Sequence, residues 1–210
     1  MNESATFFYY SLIKWFLKYE RPFPWRNTRD PYKIFVAEKM LQQTSYGHVL
    51  KVYDKFLNKY SSINLLNKAS IEEIKEVIKP LGFHNQKSKQ FKDISLKLLD
   101  DYNGKIPNNK NKLIKLKGIG NYIANAILCF AFDMDYHIVD VNVVRVLSRY
   151  FGVKPDIRKI DELITNEIQI KDYRSFNLGL IDFSSILCNR VPKCKQCIMN
   201  EHCLFSLSCR

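Results

Sequence analysis

The chain has 210 residues, of which 46% are hydrophobic, so it can bury one large core or two small ones and is not a disordered segment. Its formal net charge of +12 comes from 33 lysines and arginines against 21 acidic residues, and a charge of this sign and size predicts a polyanionic partner such as nucleic acid. Residues 83–117 carry half of that excess, because they hold nine lysines and three aspartates.

No apolar run approaches the roughly 18 residues that a membrane span requires, and the N-terminal MNESATFFYY lacks the pattern of a signal peptide. We therefore expect a cytoplasmic protein that does not bind membranes. Five of the six cysteines lie within residues 188–209. In a reducing compartment such a cluster predicts a metal site rather than disulfides.

The first half of the chain shows apolar residues at helical spacing and no alternating strand pattern, which predicts an all-α protein. Residues 4–19 form the first predicted helix. Asp30, followed by proline, is an N-cap signal for the apolar helix YKIFVAEKMLQQT. Ser70 and Glu73 have the spacing of a capping box at the start of another helix.

A glycine-containing turn interrupts the second half. A lysine-rich amphipathic helix over residues 84–101 precedes two shorter helices, at about 109–116 and 120–132, which Gly118 and Gly120 connect. Glycine permits positive φ and removes the Cβ that would block close approach. The start of the second short helix presents backbone N–H groups, which predicts a phosphate-binding turn. An ordinary helix C-cap glycine is the alternative.

An aspartate follows this turn. Residues 136–140 are short and extended, and Asp140 precedes the helical segment VNVVRVLSRYF as a predicted N-cap. Most N-cap aspartates are structural. A carboxylate fixed beside a phosphate-binding turn could instead stabilise the oxocarbenium ion that forms when a glycosidic bond breaks.

The C-terminal cysteines have the spacing C-x5-C-x2-C-x5-C, formed by Cys188, Cys194, Cys197 and Cys203, with Cys209 in addition. Four thiolates can bind zinc or an iron–sulfur cluster. Zinc sites usually contain two close C-x-x-C pairs, and only one is present here, so the spacing favours a [4Fe–4S] cluster.

Together these motifs resemble the helix-hairpin-helix DNA glycosylase superfamily, which includes endonuclease III and the adenine and thymine mismatch glycosylases. The matching stretches are PWR with DPY, LKGIGNYIA, VDVNVVRV and the cysteine loop, and they cover nearly the whole chain. The resemblance implies a two-lobed all-α fold, with residues 26–136 in one domain and residues 1–25 plus 137–210 in the other. It also implies a [4Fe–4S] cluster on the second domain and a monovalent cation at the hairpin.

The resemblance also assigns roles. Asp140 would stabilise the cation at C1′, Glu38 would assist departure of the base, and Tyr122 would line the base pocket. Tyr122 stands where the glycosylase-lyases of this superfamily carry a lysine, so we expect a monofunctional enzyme that leaves an abasic site. Asn142 would orient the backbone around Asp140. The expected DNA contacts are Gln42 or Gln43 inserted into the base stack, and Lys117, Gly118, Ile119, Gly120, Arg190, Lys193 and Lys195 on the phosphates.

The motifs resemble those of glycosylases with two different substrates. MLQQT with Glu38 resembles adenine glycosylases, whereas SYGHVLKVYDKF, GFHNQKSKQ and FNLGLIDFSSILC resemble thymine mismatch glycosylases. The sequence ends at the cysteine loop, so we expect no C-terminal domain of the kind with which adenine glycosylases recognise 8-oxoguanine. We therefore predict excision of thymine or uracil opposite guanine, with adenine excision as the alternative. Two features depart from the resembling glycosylases. Val141 is larger than the residue they usually have after the aspartate, and the spacing between the first two cysteines is one residue shorter than theirs.

Mismatched double-stranded DNA is the predicted partner, and enzymes that process abasic sites would act next. We expect a monomer associated with the nucleoid. A non-catalytic DNA-binding protein and an electron-transfer protein are alternatives from other classes. The presence of Asp140 weighs against the first, and the hairpin with the basic surface weighs against the second.

Overall fold

The computed structural model describes residues 2–208, so Cys209 lies outside the described residues. Within that range the protein is helical and contains no β-strand, as the sequence predicted. There are short 3₁₀ turns at Pro24–Arg26 and Cys194–Gln196. The α-helices, in chain order, are α1 Glu3–Tyr19, α2 Pro31–Leu41, α3 Tyr46–Leu50, α4 Tyr53–Lys59, α5 Ile63–Lys68, α6 Ile71–Ile78, α7 His84–Tyr102, α8 Lys110–Leu113, α9 Asn121–Phe132, α10 Val141–Phe151, α11 Ile157–Glu167, α12 Tyr173–Ile186 and α13 Leu204–Ser208.

The chain divides into two compact units. One unit is Phe23–Met134, which holds α2 to α9, and the described residues on either side of it form the other. In the first unit α2 packs on α9, and α7 packs on α5 and α6. Its core includes the fully buried rings of Phe35, Phe56 and Phe91, and the Phe91 centroid lies 5.8 Å from that of Phe35 and 5.0 Å from that of Phe56.

The second unit joins the N-terminal helix to the C-terminal helices. Helix α1 packs on α12, and α10 packs on α11, α12 and α13. Arg21, just after α1, binds the fully buried carboxylate of Asp182 on α12 through its backbone N–H (3.1 Å) and its guanidinium (2.6 Å). Because a buried carboxylate is stable only when it is paired, this ion pair fixes the end of α1 against α12.

Local sequence signals account for the helix starts. The Asp30 carboxylate accepts from the N–H groups of Tyr32 and Lys33 at the start of α2. Ser70 and Glu73 exchange the two hydrogen bonds of a capping box, at 3.1 and 2.8 Å. Both features confirm the sequence interpretation.

Two helices end earlier than the sequence predicted. Helix α2 ends at Leu41, whereas the predicted helix YKIFVAEKMLQQT extended to Thr44. Helix α8 ends at Leu113, three residues earlier than expected. Phe83, before α7, adopts a left-handed conformation with φ of 58°, which is uncommon for a bulky residue. No helix within residues 2–208 combines the length and the apolar character needed to cross a lipid bilayer.

Candidate functional site

The α8–α9 hairpin uses its two glycines for different purposes. Gly118 has a φ of +82°, and a Cβ at this position would lie 2.8 Å from both Lys39 Nζ and Gln90 Nε2. Gly120 is the N-cap of α9, its φ of −96° suits any residue, and no atom lies within 4 Å of its Cβ position. The fold therefore requires glycine at 118, whereas at 120 the missing Cβ only keeps the surface open.

The start of α9 is suited to bind an anion. The N–H of Ala124 donates to the Gly120 carbonyl (3.0 Å), which begins the hydrogen-bond ladder of the helix. The N–H groups before Ala124 point out of the helix end, where the helix dipole favours negative charge. Ile119 can contribute little here, because its side chain is buried and its N–H donates to the Leu116 carbonyl within the turn.

Glu38 lies on α2 with only 6% of its surface exposed. Its chain neighbours Val36, Ala37 and Met40 are buried with it. Burial raises the pKa of Glu38 from 4.5 to about 7, although the positive charge of Arg26 opposes that rise. A carboxyl group with this pKa can hold a proton at neutral pH and release it to a substrate.

The residues that follow Glu38 form a contact with the hairpin that sequence reasoning missed. Lys39 is fully buried, and its ammonium donates to the Gly118 carbonyl (2.9 Å) and to Gln42 Oε1 (2.6 Å). Gln42, at the end of α2, is half-buried, and Gln43 is exposed with a positive φ of 52°. The only sequence signal for this contact is a lysine inside an otherwise apolar helix.

A second buried lysine holds the adjacent loops together. Lys87 on α7 donates to the Met40 carbonyl, the Thr44 hydroxyl and the Gly82 carbonyl, at 3.0, 2.5 and 3.0 Å. These bonds join the end of α2 to the loop that precedes α7. That loop presents Phe83, a ring 59% exposed, which sequence reasoning also missed.

Tyr122 and Lys117 flank the hairpin glycines. Tyr122 is the second residue of α9 and is half-buried. The Lys117 side chain is 78% exposed, and its ammonium lies 3.7 Å from the Asp93 carboxylate. A surface ion pair of this kind contributes little to stability, so Lys117 remains available to a phosphate.

Asp140 is the N-cap of α10, as predicted. One of its carboxylate oxygens accepts from the N–H groups of Asn142 and Val143, both at 2.8 Å, and the other accepts from Asn142 Nδ2 at 2.9 Å. The Arg145 guanidinium in turn donates to Asn142 Oδ1 (2.9 Å). These bonds hold the half-buried carboxylate in one orientation, and the orienting role of Asn142 stays a prediction.

A buried asparagine side chain binds the segment that leads to Asp140. Asn177 on α12 accepts from the Ile138 N–H (2.9 Å) and donates to the Tyr136 carbonyl (2.8 Å). An asparagine side chain paired with an extended backbone in this way fixes its path. Asn177 lies within the motif FNLGLIDFSSILC, but the motif did not reveal this pairing, because it joins residues that are far apart in sequence.

The four cysteines of the predicted metal site line one cavity of about 30 Å³ in the second unit. It is surrounded by apolar residues, among them Phe8, Tyr150 and Met199. Among residues 2–208, no three His, Cys, Asp or Glu side chains converge closely enough to hold a metal ion as they stand. Burial raises the pKa of the Cys197 thiol to about 11 and also raises that of Cys203. A shared cavity lined by thiols is the part of the metal-site prediction that the fold supports.

The loop that carries the cysteines is basic on its outer side. Arg190, Lys193 and Lys195 are all exposed. Arg149 on α10 supports the loop from within, because its guanidinium donates to the Asn189 and Arg190 carbonyls at 2.6 and 3.1 Å.

The structure thus groups Glu38, Tyr122, the glutamines and the hairpin in the unit Phe23–Met134. Asp140, Asn142 and the cysteine loop belong to the other unit.

A family model described as HhH-GPD superfamily base excision DNA repair protein matches residues 36–169. The chain belongs to this superfamily, as its motifs predicted.

The chain is similar to several named DNA glycosylases. A thymine/uracil-DNA glycosylase of Methanothermobacter thermautotrophicus is 37% identical, over 99% of this chain and 97% of that protein. An adenine DNA glycosylase of Buchnera aphidicola subsp. Baizongia pistaciae is 32% identical, over 97% of this chain and 61% of that protein. A solved structure of a thermostable thymine-DNA glycosylase superimposes with a TM-score of 0.91 at 36% identity, over 99% of both chains.

Proposed function

We propose that the protein is a monofunctional mismatch DNA glycosylase that removes thymine or uracil opposite guanine. The main observation behind the proposal is that two carboxyl groups, those of Glu38 and Asp140, lie in different environments. Glu38 is buried and holds a proton near neutral pH, whereas Asp140 is fixed by three N–H donors at a helix start. Two carboxyl groups with different environments are the usual means of breaking a glycosidic bond.

In the proposed reaction the target nucleotide is first extruded from the duplex, which costs least at a mismatch because less base pairing is lost. Gln42 or Gln43 then fills the vacated position. Phe83, an exposed ring on a loop fixed by Lys87, supplies a surface on which a neighbouring base can stack.

Bond cleavage divides between the two carboxyl groups. The bond between C1′ and the base nitrogen breaks, its electron pair leaves with the base, and neutral Glu38 bonds or protonates the departing base. The Asp140 carboxylate stabilises the positive charge that develops at C1′. A water molecule then adds its hydroxyl to C1′ and releases a proton, which leaves an abasic sugar in an intact strand.

Phosphate contacts position the DNA without reading its sequence. The start of α9 with Gly120 supplies backbone N–H donors, and Lys117, Arg190, Lys193 and Lys195 supply exposed positive charge. The net charge of +12 supports this assignment, since each neutralised phosphate releases counterions.

The similarity to thymine/uracil-DNA and thymine-DNA glycosylases over nearly the full chain favours thymine or uracil as the released base. Adenine release is the second candidate. The adenine DNA glycosylase relative supports it, and so does Glu38, because a carboxyl group that holds its proton near pH 7 can protonate a purine.

A [4Fe–4S] cluster fits the donor set of the cysteine loop. Four thiols line a single cavity, and the Arg149 guanidinium lies 3.6 Å from Cys188 Sγ, where it would balance the negative charge of thiolate ligands. Cys188, Cys194, Cys197 and Cys203 would hold the cluster. When bound, it would supply a rigid cross-link for the loop that carries Arg190, Lys193 and Lys195. The monovalent cation at the hairpin stays a prediction.

Enzymes that process abasic sites are the proposed partners, and a monomer acting on the nucleoid is the proposed form. A panel of duplexes with T, U or A opposite G and opposite 8-oxoguanine tests the proposal, with and without alkali. We expect free thymine and uracil from opposite G, strand breakage only after alkali, and no adduct trapped by borohydride, because Tyr122 cannot form a Schiff base.

Asp140→Asn separates binding from chemistry in the same assay. It should bind mismatched DNA about as well as the wild type and release base orders of magnitude more slowly, because the lost charge acts mainly in the transition state. Adenine release with G·T untouched would favour the second candidate. Binding without release of any base would favour a non-catalytic protein.

A further inference from the structure

Lys39 has no part in the reaction described above, yet it joins two of the elements proposed to contact DNA. It follows Glu38 on α2 and is fully buried. Its ammonium donates to the Gly118 carbonyl of the hairpin at 2.9 Å and to Gln42 Oε1 at 2.6 Å. A buried ammonium is costly without partners, so this position specifically accommodates a lysine.

The chemistry of lysine decides how the Gln42 amide is oriented. An ammonium has three donors and no acceptor, so the amide atom that faces it must be the oxygen. The Gln42 Nε2 then faces the Gly118 carbonyl, 3.5 Å away, which is the same oxygen that accepts from Lys39. An amide nitrogen carries two hydrogens, and at most one of them can point at that carbonyl. The other is available to an incoming group.

The charge of Lys39 is retained at neutral pH. Burial and the positive charge of Lys87 lower the pKa of Lys39 to about 8. The ammonium therefore remains protonated at pH 7 and keeps both of its bonds.

We propose that Lys39 is a positioning residue that holds the Gln42 amide in one orientation, so that the amide hydrogen not directed at Gly118 is presented to the base opposite the lesion and selects it. The proposal rests on the proposed function, in which Gln42 fills the vacated position. A donor there suits guanine, whose O6 is an acceptor, and opposes adenine, whose equivalent group is the N6 donor. Lys39 thereby favours uracil opposite guanine over uracil opposite adenine.

The test is the ratio of uracil release from G·U to release from A·U, at enzyme concentrations below saturation. Lys39→Met keeps a long unbranched side chain and removes the ammonium, which frees the Gln42 amide to turn. We expect the ratio to fall about tenfold, the value of one oriented hydrogen bond. The rate on G·U at saturating enzyme should stay within about twofold, because the bond-breaking groups are untouched.

Lys92→Met is the matched control. Lys92 on α7 also donates two hydrogen bonds from its ammonium, in this case to the backbone carbonyls of Asn67 and Ala69 at the end of α5. Its loss changes the net charge equally and should leave the G·U to A·U ratio unchanged. If Lys92→Met lowers the ratio as much as Lys39→Met does, the effect is one of charge and the proposal is wrong.

A double-mutant cycle tests whether Lys39 acts through Gln42. Gln42→Met should lower the ratio as far as Lys39→Met does, and the double variant should lower it no further. An unchanged ratio in Lys39→Met, or additive losses in the double variant, would overturn the proposal. So would equal weakening of G·U, A·U and undamaged duplex, since Lys39 would then only support the hairpin.

One measurement is independent of the enzyme's substrate. The side-chain amide of Gln42 can be observed by ¹⁵N NMR in the free protein, with Gln43 as the internal reference. Lys39→Met should shift the Gln42 signals and leave those of Gln43 unchanged. An unchanged Gln42 signal would contradict the positioning role of Lys39. Absence of uracil release by the wild-type protein would refute the proposed function instead, and this NMR result would still stand.

Discussion

The buried carboxyl group of Glu38 should make both stability and activity depend on pH near neutrality. Its pKa of about 7 in the folded protein exceeds the ordinary value of 4.5. Between these values the folded state binds more protons than the unfolded state, so the unfolding free energy falls as pH rises from about 4.5 to about 7. At about 1.4 kcal/mol for each pH unit, the loss across this window is about 3 kcal/mol.

Glu38→Gln removes the titrating group and keeps its size. The unfolding free energy of the variant, measured by urea denaturation at several pH values, should lack this decline. If neutral Glu38 assists the departing base, wild-type single-turnover rates should fall as pH rises through about 7. The variant should lose that dependence and be slower by roughly 10²- to 10⁴-fold.

Two further variants test whether the pH dependence comes from Glu38. Glu76→Gln removes an exposed carboxyl group on α6 and should leave both pH curves unchanged. Arg26→Gln removes the charge that opposes the pKa rise and should move the midpoint above 7. If the unfolding free energy of Glu38→Gln falls between pH 4.5 and 7 as much as that of the wild type, the reasoning is refuted. Another titrating group would then be responsible for the pH dependence.

Two other predictions concern the hairpin and the cysteine loop. Gly118→Ala should destabilise the fold by about 1–3 kcal/mol, because it strains a positive φ and meets Lys39 and Gln90 at 2.8 Å. Gly120→Ala should leave the melting temperature unchanged and weaken binding to all duplexes alike, and a loss of mismatch preference alone would contradict the phosphate role. The purified protein should contain iron and absorb broadly in the violet, and Cys197→Ser should bleach it and weaken DNA binding. A colourless wild-type protein with one tightly bound zinc would refute the cluster.

The sequence alone determined the features that depend on residues close together in the chain. Asp30, the Ser70–Glu73 pair and Asp140 cap helices through bonds that span two or three residues, so their spacing was sufficient to place them. The all-helical class followed from apolar periodicity, and the superfamily followed from motifs that are each contiguous.

The tertiary structure decided what depends on residues brought together from distant parts of the chain. Gly118 and Gly120 look equivalent in sequence, yet only Gly118 has a positive φ and faces Lys39 and Gln90. In sequence, Lys39 and Lys87 resemble ordinary lysines. In the folded protein both are buried and donate to backbone carbonyls. Burial and long-range partners set the pKa of Glu38 and the orientation of Gln42, because desolvation and hydrogen bonding arise only when segments far apart in sequence enclose the same group.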